Sequence, residues 1–349
     1  MPRAGFEPGR LFGPDLARGI ALLGMFAAHV AFEGPEHVYD GRSAILFATV
    51  AGVSLGLMTG GARAAPPEER TGLRGGIALR ALALIVIGVL LSQVVRPPLA
   101  VILDYYGFAF LLLIPVLFAS RRVIAVAGVV VAAVAPPLVL WLRDTTEPGA
   151  IPVFLLPFAE WLVYGVYPMA IWLVFPLVGL LCVRSDLSRR GTQLVMIAAG
   201  TVAALAGYGA AAVLPGVTAE AHSGTLAEVV GSGGVAVAVI GAAALLGDLP
   251  GRAGRGIRVV LYPVAAAGGM ALSIYTVHAI ALALVRDAVS QGSDRWVYPD
   301  AVLPILIVSA LVVGTLWRRF LGAGPLERLL KLLSGLMRPQ HRAAETSRV

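Results

Sequence analysis

Runs of about 20 apolar residues, separated by short loops that carry arginine, recur along the chain and leave few folds open to it. Wound as a helix, such a run matches the thickness of a bilayer's hydrocarbon core. No water is present there to satisfy backbone polar groups, so each spanning segment must satisfy its own. The pattern therefore predicts an all-α, polytopic integral membrane protein. Composition agrees: 58% of the 349 residues are hydrophobic, only 13% are charged, and the mean hydropathy is +0.86.

Ten transmembrane helices are predicted, over residues 12–32, 43–62, 77–95, 100–120, 123–143, 159–182, 191–214, 227–247, 259–285 and 300–320. With a cytoplasmic N-terminus, the inner segments and tail hold 20 basic residues, and the outer loops hold five: Arg42, Arg96, Arg143, Arg286 and Arg295. Arg18 and Arg80 lie inside spans. A positive-inside bias of this size predicts that both termini are cytoplasmic. The net charge of +7 thus reports topology, and no nucleic-acid partner is expected. Residues 1–337 read as one transmembrane domain, followed by a disordered cytoplasmic tail over 338–349. Cys182 is the sole cysteine, which rules out an internal disulfide and a cysteine-based metal cluster. The first span lacks a convincing cleavage site and carries Asp15 and Arg18, as a retained helix would.

Local features refine this outline. Gly52, Gly56 and Gly60 form a small-residue stripe suited to close helix approach. Pro136 and Pro137 in span five, and Pro168 and Pro176 in span six, predict kinks because each proline removes a backbone donor. From Gly324 to Met337, Leu326, Leu329, Leu330, Leu333 and Leu336 share one face, with Glu327, Arg328 and Lys331 elsewhere, which predicts a C-terminal amphipathic helix along the inner surface.

The first span has the most to say about chemistry. Eleven residues separate Arg18 from His29, close to three helical turns, so the two side chains share a face about 16 Å apart along the axis. An anion-binding arginine toward one membrane surface and a proton-handling histidine toward the other suit a reaction that reaches across the bilayer. Ionisable groups in the other spans sort into the same two layers. The outer layer gathers His29, His37, Asp40, Asp104, Tyr105, Glu160, His222, Tyr275 and His278; the inner layer holds Asp15, Arg18, Arg74 and Arg80. Buried polar residues of this kind default to functional hypotheses, yet each has a plainer reading. Asp15 and Arg18 are spaced as a structural ion pair, His37 fits a solvated loop histidine, Glu160 an ordinary interfacial acid, and His222 a flexible-loop residue. Tyr275 and His278, three apart, share a face. The chain has no P-loop, dinucleotide fingerprint, CxxC or His-Glu metalloprotease signature, and nothing in its spacing asks for a metal.

The opening helix, Gly13 to Val30, resembles that of the transmembrane acyltransferase superfamily, the family of heparan-alpha-glucosaminide N-acetyltransferase and bacterial relatives. Its Arg18-to-His29 spacing is also similar to the arginine, ten residues, histidine motif of bacterial acyltransferase family three. Three further stretches resemble later parts of the superfamily: Tyr167 to Leu187, Gly268 to Ile280 with Tyr275 and His278, and Trp317 to Leu333. The resemblance implies a bacterial plasma-membrane enzyme that moves an acyl group, acetyl above all, from cytoplasmic acyl-coenzyme A to an extracytoplasmic glycan, lipid-linked sugar or similar acceptor. Membrane lipid and a possible homodimer partner complete the expected associations. On this resemblance Arg18 contacts the coenzyme, and His278 lines the cavity. His37 is the nearest counterpart of the acetyltransferase's loop histidine, whereas His29 matches the histidine of the other family. Either is a candidate base, with Asp40 or Asp104 to orient it, Tyr275 and His278 to position the acceptor, and Arg18, Arg80, Arg74 and the paired Asp15 at the coenzyme phosphates. The rival reading is a proton-coupled secondary transporter or flippase for an anionic solute.

Overall fold

The structure, a computed structural model, describes residues 11–31, 36–147, 149–290 and 297–337. The tail from 338 on, and with it His341, lies outside the described residues, as do Arg3, Arg10 and Arg295. Among the described residues all regular structure is helical. The helices are α1 (Phe12–Val30), α2 (Arg42–Met58), α3 (Pro67–Leu90, closing on a π turn over Leu91–Val95), α4 (Leu103–Leu113), α5 (Arg121–Thr145), α6 (Leu156–Ala159, continued by a π turn over Glu160–Tyr164) and α7 (Met169–Trp172). The second half comprises α8 (Val174–Arg184), α9 (Arg190–Val213), α10 (Leu226–Asp248), α11 (Gly251–Gly268), α12 (Ala271–Ser290), α13 (Val302–Phe320) and α14 (Pro325–Gly335).

Among the described residues six helices are long and apolar enough to cross a membrane, and the bent pair Val153–Tyr164 and Met169–Arg184, angled at 47°, makes a seventh if taken as one span. The break in that pair falls just before Pro168, where a kink is expected from the lost backbone donor. Pro136 and Pro137, by contrast, sit inside one continuous α5. The expected ten spans are therefore not matched one for one. Helix α1 carries Asp15, Arg18 and His29, which lower its hydropathy, while α2 and α4 are shorter apolar helices. Helices α5, α9 and α13 expose much of their valine and leucine, including Val129, Val202, Leu205 and Val308. An apolar exterior of that extent suits a lipid environment.

The span expected over 259–285 is instead two helices. Only Leu249 and Pro250 separate α11 from the end of α10, whose Ala244 packs on Gly13, and α11 finishes where the Cβ position of Gly268 falls 2.0 Å from the Asp15 carbonyl and 2.4 Å from the Gly19 nitrogen. Both ends of α11 thus lie at the same end of α1, and the chain turns at Gly269 and Met270 before α12 sets off alongside α1. Arg252, Arg255 and Arg258 make the first half of α11 too polar to span.

Close backbone contact holds the centre together. Gly52 meets the backbone of Pro176, Gly56 meets Val183 and Leu180, and Gly179 in return meets Thr49, so two of the three stripe glycines seat α2 on α8. Gly60, with φ of 111°, instead shapes the turn beyond α2. Helices α9 and α10 cross in the same manner through Gly200, Gly207, Gly231 and Gly234. The buried Arg184 ties the inner ends together. It donates to the carbonyls of Gly56, Gly61, Thr59 and Leu117 and to Thr59 Oγ1, so one guanidinium serves the orphan acceptors at the C-terminal end of α2 and at the turn after α4.

Candidate functional site

Helix α1 is unbroken from Phe12 to Val30, and both of its singled-out side chains turn toward the α11–α12 junction and α12. Near the start of α1 Arg18 donates to Asp15 Oδ1 at 2.9 Å, to the Gly268 carbonyl at 3.2 Å and to Ser54 Oγ at 2.7 Å. Near its other end His29 Nδ1 lies 3.3 Å from His278 Nε2, and the two imidazoles stack with centroids 5.1 Å apart. Phe26 stacks on the other face of His278 at 4.3 Å, and Tyr275 meets His29 edge-on at 6.5 Å. His278 and Tyr275 are both buried, at 2% and 1% exposure. The shared face expected from the eleven-residue spacing is present: the end of α11 and Ser54 of α2 meet Arg18, and α12 meets His29.

A cavity of about 830 Å³ opens between α1, α2, α3, α4, α12 and α14. Arg18, Arg80 and Lys331 contribute its cationic wall, with Asp15 and Glu327 beside them. Further out the walls turn apolar, with Phe47, Leu84, Leu103, Tyr106 and Phe110. Leu103 is the outermost contribution of α4, and the residue before it, Ile102, gives its N–H to the Tyr275 hydroxyl at 3.4 Å. Tyr275 thus touches the backbone beside the wall residue Leu103 on one side and His29 on the other, and neither it nor the histidine pair is a wall residue.

The start of α12 is fixed by an exchange of caps. Glu327 accepts from the Leu272 N–H at 2.8 Å, from the Ser273 N–H at 3.1 Å and from the Ser273 hydroxyl, while Ser273 Oγ accepts from the Leu326 N–H at 3.1 Å. The open N–H groups of α12 and α14 are thus satisfied by each other's side chains. Helix α14 does not simply rest on the membrane surface, as its leucine pattern predicts. Leu330 is buried at 1% exposure, and Glu327, Leu330, Lys331 and Ser334, at helical spacing, form part of the cavity wall.

In the first outer loop His37 stacks on Tyr39 at 5.0 Å and faces Asp40 Oδ2 at 3.6 Å, which also accepts the His37 N–H at 2.7 Å. Arg42 pairs with Glu36 and reaches the Tyr208 hydroxyl at 3.0 Å. Across from it, Thr225 caps the start of α10 by accepting the Glu228 N–H at 3.1 Å, and the Glu228 carboxylate holds the preceding loop by accepting the His222 and Gly224 N–H groups at 2.7 Å each. The His222 ring lies parallel to Trp172 at 6.1 Å and edge-on to Tyr167 at 5.4 Å. Burial pushes its pKa below the ordinary value, while Asp40 and Glu36 pull it the other way.

Of the residues singled out in the sequence, His29, Tyr275 and His278 converge, and Asp15, Arg18 and Arg80 share the cavity wall. Asp104 is buried against α6, where its Oδ2 accepts from Trp161 Nε1 at 2.9 Å, and lies within electrostatic range of Tyr275. Arg74 stacks over Phe118 at 5.3 Å and is not a wall residue, and the contacts of His37 are to its own loop. Glu327, Lys331, Phe47 and Tyr106 were not expected in the site. The first two read as solvated residues of an amphipathic helix and the aromatics as packing, and no spacing on one helix connects them. Among the described residues no group of three His, Cys, Asp or Glu side chains is placed to hold a metal ion.

This geometry falls partly within a known family pattern. Residues 180–336 match the family described as "Protein of unknown function (DUF418)". The match runs from the end of α8 through α14, so it takes in Tyr275, His278, Glu327 and Lys331, while α1 with Arg18 and His29 precedes it. None of the curated proteins compared with the chain matches it.

Proposed function

We propose that this protein is a membrane-embedded acyltransferase that moves an acyl group from cytoplasmic acyl-coenzyme A to an extracytoplasmic acceptor such as a glycan or lipid-linked sugar. The observation that carries the reading is the cavity, cationic at Arg18, Arg80 and Lys331, apolar toward Leu103 and Tyr106, and linked through Tyr275 to the His29–His278 pair. The coenzyme's phosphates suit the cationic wall, where guanidinium groups give charge-assisted, geometrically specific contacts. The apolar end excludes water that would otherwise hydrolyse the thioester. His29 is favoured over His37 as base, because its neighbours are the buried pair partner and Tyr275, and with Nδ1 turned to His278 its Nε2 is the ring nitrogen left for the acceptor. In the reaction an acceptor hydroxyl or amine attacks the thioester carbonyl and its proton passes to the imidazole. The C–S bond breaks, and the thiolate leaves and takes up a proton, giving acylated acceptor and free thiol.

The test is acetyl-coenzyme A binding to detergent-purified protein, followed by thiol release on adding amino-sugar acceptors. Arg18→Ala is expected to weaken binding about tenfold or more, as loss of a charged contact does. His29→Ala should bind the coenzyme and release no thiol. Normal turnover by His29→Ala would move the base elsewhere. Failure of stable wild-type protein to bind acetyl-coenzyme A, with flux of an anionic solute through proteoliposomes, would favour the transporter reading.

A further inference from the structure

The outer end of the cavity is shaped by a pair of rings. Phe47 and Tyr106 stack with centroids 5.7 Å apart and planes 7° from parallel, and the Tyr106 hydroxyl donates to the Ala44 carbonyl at 3.3 Å. Both rings are walls of the cavity, and Tyr106 is buried at 5% exposure. Behind them lies a second void of about 10 Å³, which shares Ala51, Tyr106 and Phe110 with the main cavity and is closed on its far side by Met169, Trp172 and Pro176. That is room for about one water molecule. Tyr106 is thus a partition with space on both sides.

Length then limits what fits. Arg18 is bonded to Ser54, and from Ser54 to Phe47 along α2 is seven residues, or about 10 Å. The arm joining the pyrophosphate of coenzyme A to its sulfur has about twelve bonds and, extended at roughly 3.8 Å per three bonds, measures roughly 15 Å. With phosphates at Arg18, Arg80 and Lys331, the arm is long enough to cover that distance and bring the thioester up against the two rings. We infer that the Phe47–Tyr106 stack sets the acyl chain length, admitting two to three carbons and rejecting longer chains. The inference rests on the acyltransferase reading and adds to it the class of donor and the residues that select it.

The experiment compares acetyl-, butyryl- and octanoyl-coenzyme A as competitors of labelled acetyl-coenzyme A and as donors in thiol release. Wild-type protein should discriminate against octanoyl by at least about tenfold, since a closed apolar pocket rejects even one extra methylene by roughly that factor. Tyr106→Ala, which joins the two voids, and Phe47→Ala, at a half-buried site less exposed to folding failure, should each bring octanoyl to within about threefold of acetyl. An unchanged chain-length profile in variants that still use acetyl-coenzyme A would overturn the inference and leave the acyltransferase reading standing, as would wild-type protein that takes octanoyl as well as acetyl. Absence of binding by any of the three donors to wild-type protein would remove both.

Discussion

At the scale of single residues, the buried polar groups divide by what they touch. Arg184 meets only backbone carbonyls and one hydroxyl, so its charge is spent on holding helix ends together, and nothing around it suggests a ligand. His29 and His278 have each other and aromatic rings. His222 is held by its backbone N–H on Glu228, in a left-handed conformation with φ of 61°. Because burial lowers its pKa in the folded protein below the unfolded value, protonation favours unfolding. Its contribution to stability is present above about pH 6.5 and is lost as pH falls toward the folded-state pKa. Thermal unfolding in detergent should therefore show stability declining from about pH 7 to 5, with a smaller decline in His222→Asn. Asparagine tolerates the left-handed backbone, so an identical pH slope in that variant would show that His222 is not the group responsible.

Among the elements, the helix crossings set the geometry of the site. Helix α2 supplies both Ser54 for Arg18 and Phe47 for the cavity, and its height relative to α8 depends on backbone contact at Gly52 and Gly179. A Cβ at Gly52 would sit 2.0 Å from the Pro176 carbonyl oxygen, with no flexible side chain to give way. Gly52→Ala is expected to lose about 1–3 kcal/mol of stability, as overpacking does, and to weaken coenzyme binding with it. Gly209→Ala, on α9 where a Cβ meets nothing within 4 Å, should leave the melting temperature unchanged or slightly raised. Equal behaviour of the two variants in a thermal-shift measurement would argue against the close α2–α8 contact. The mutual capping of α12 and α14 belongs to this scale as well. It anchors the first turn of the helix that carries Tyr275 and His278, and it makes the C-terminal amphipathic helix a wall of the cavity.

For the molecule as a whole, the arginine asymmetry and the two-ended site make a joint statement. If basic loops are cytoplasmic, the Arg18 end of the cavity faces the cytoplasm and the His29–His278 pair faces outward. Cys182 is buried and is expected to stay unlabelled by maleimide, so single added cysteines can report sidedness. Glu220→Cys, exposed in the loop before α10, should label in intact cells, whereas Arg190→Cys, exposed at the start of α9, should label only after the membrane is opened. The reverse pattern would invert the molecule and point the cationic wall away from any cytoplasmic donor.

Residue chemistry along the chain was enough to specify a helical membrane protein and the common face of Arg18 and His29. Hydrophobicity and helical spacing are local properties, so each can be read over one run. Tertiary structure alone decided which distant side chains meet: Ser54 and Gly268 at Arg18, His278 at His29, and Glu327 at the start of α12. It also divided the segment over 259–285 into α11 and α12, with Gly268 set against Asp15 and Gly19 just before the chain turns at Gly269 and Met270. In a membrane protein the lipid-facing and the buried surfaces are both apolar, so periodicity gives little sign of which face is which. The partners are chosen instead by where small residues let backbones touch, and that depends on two helices at once.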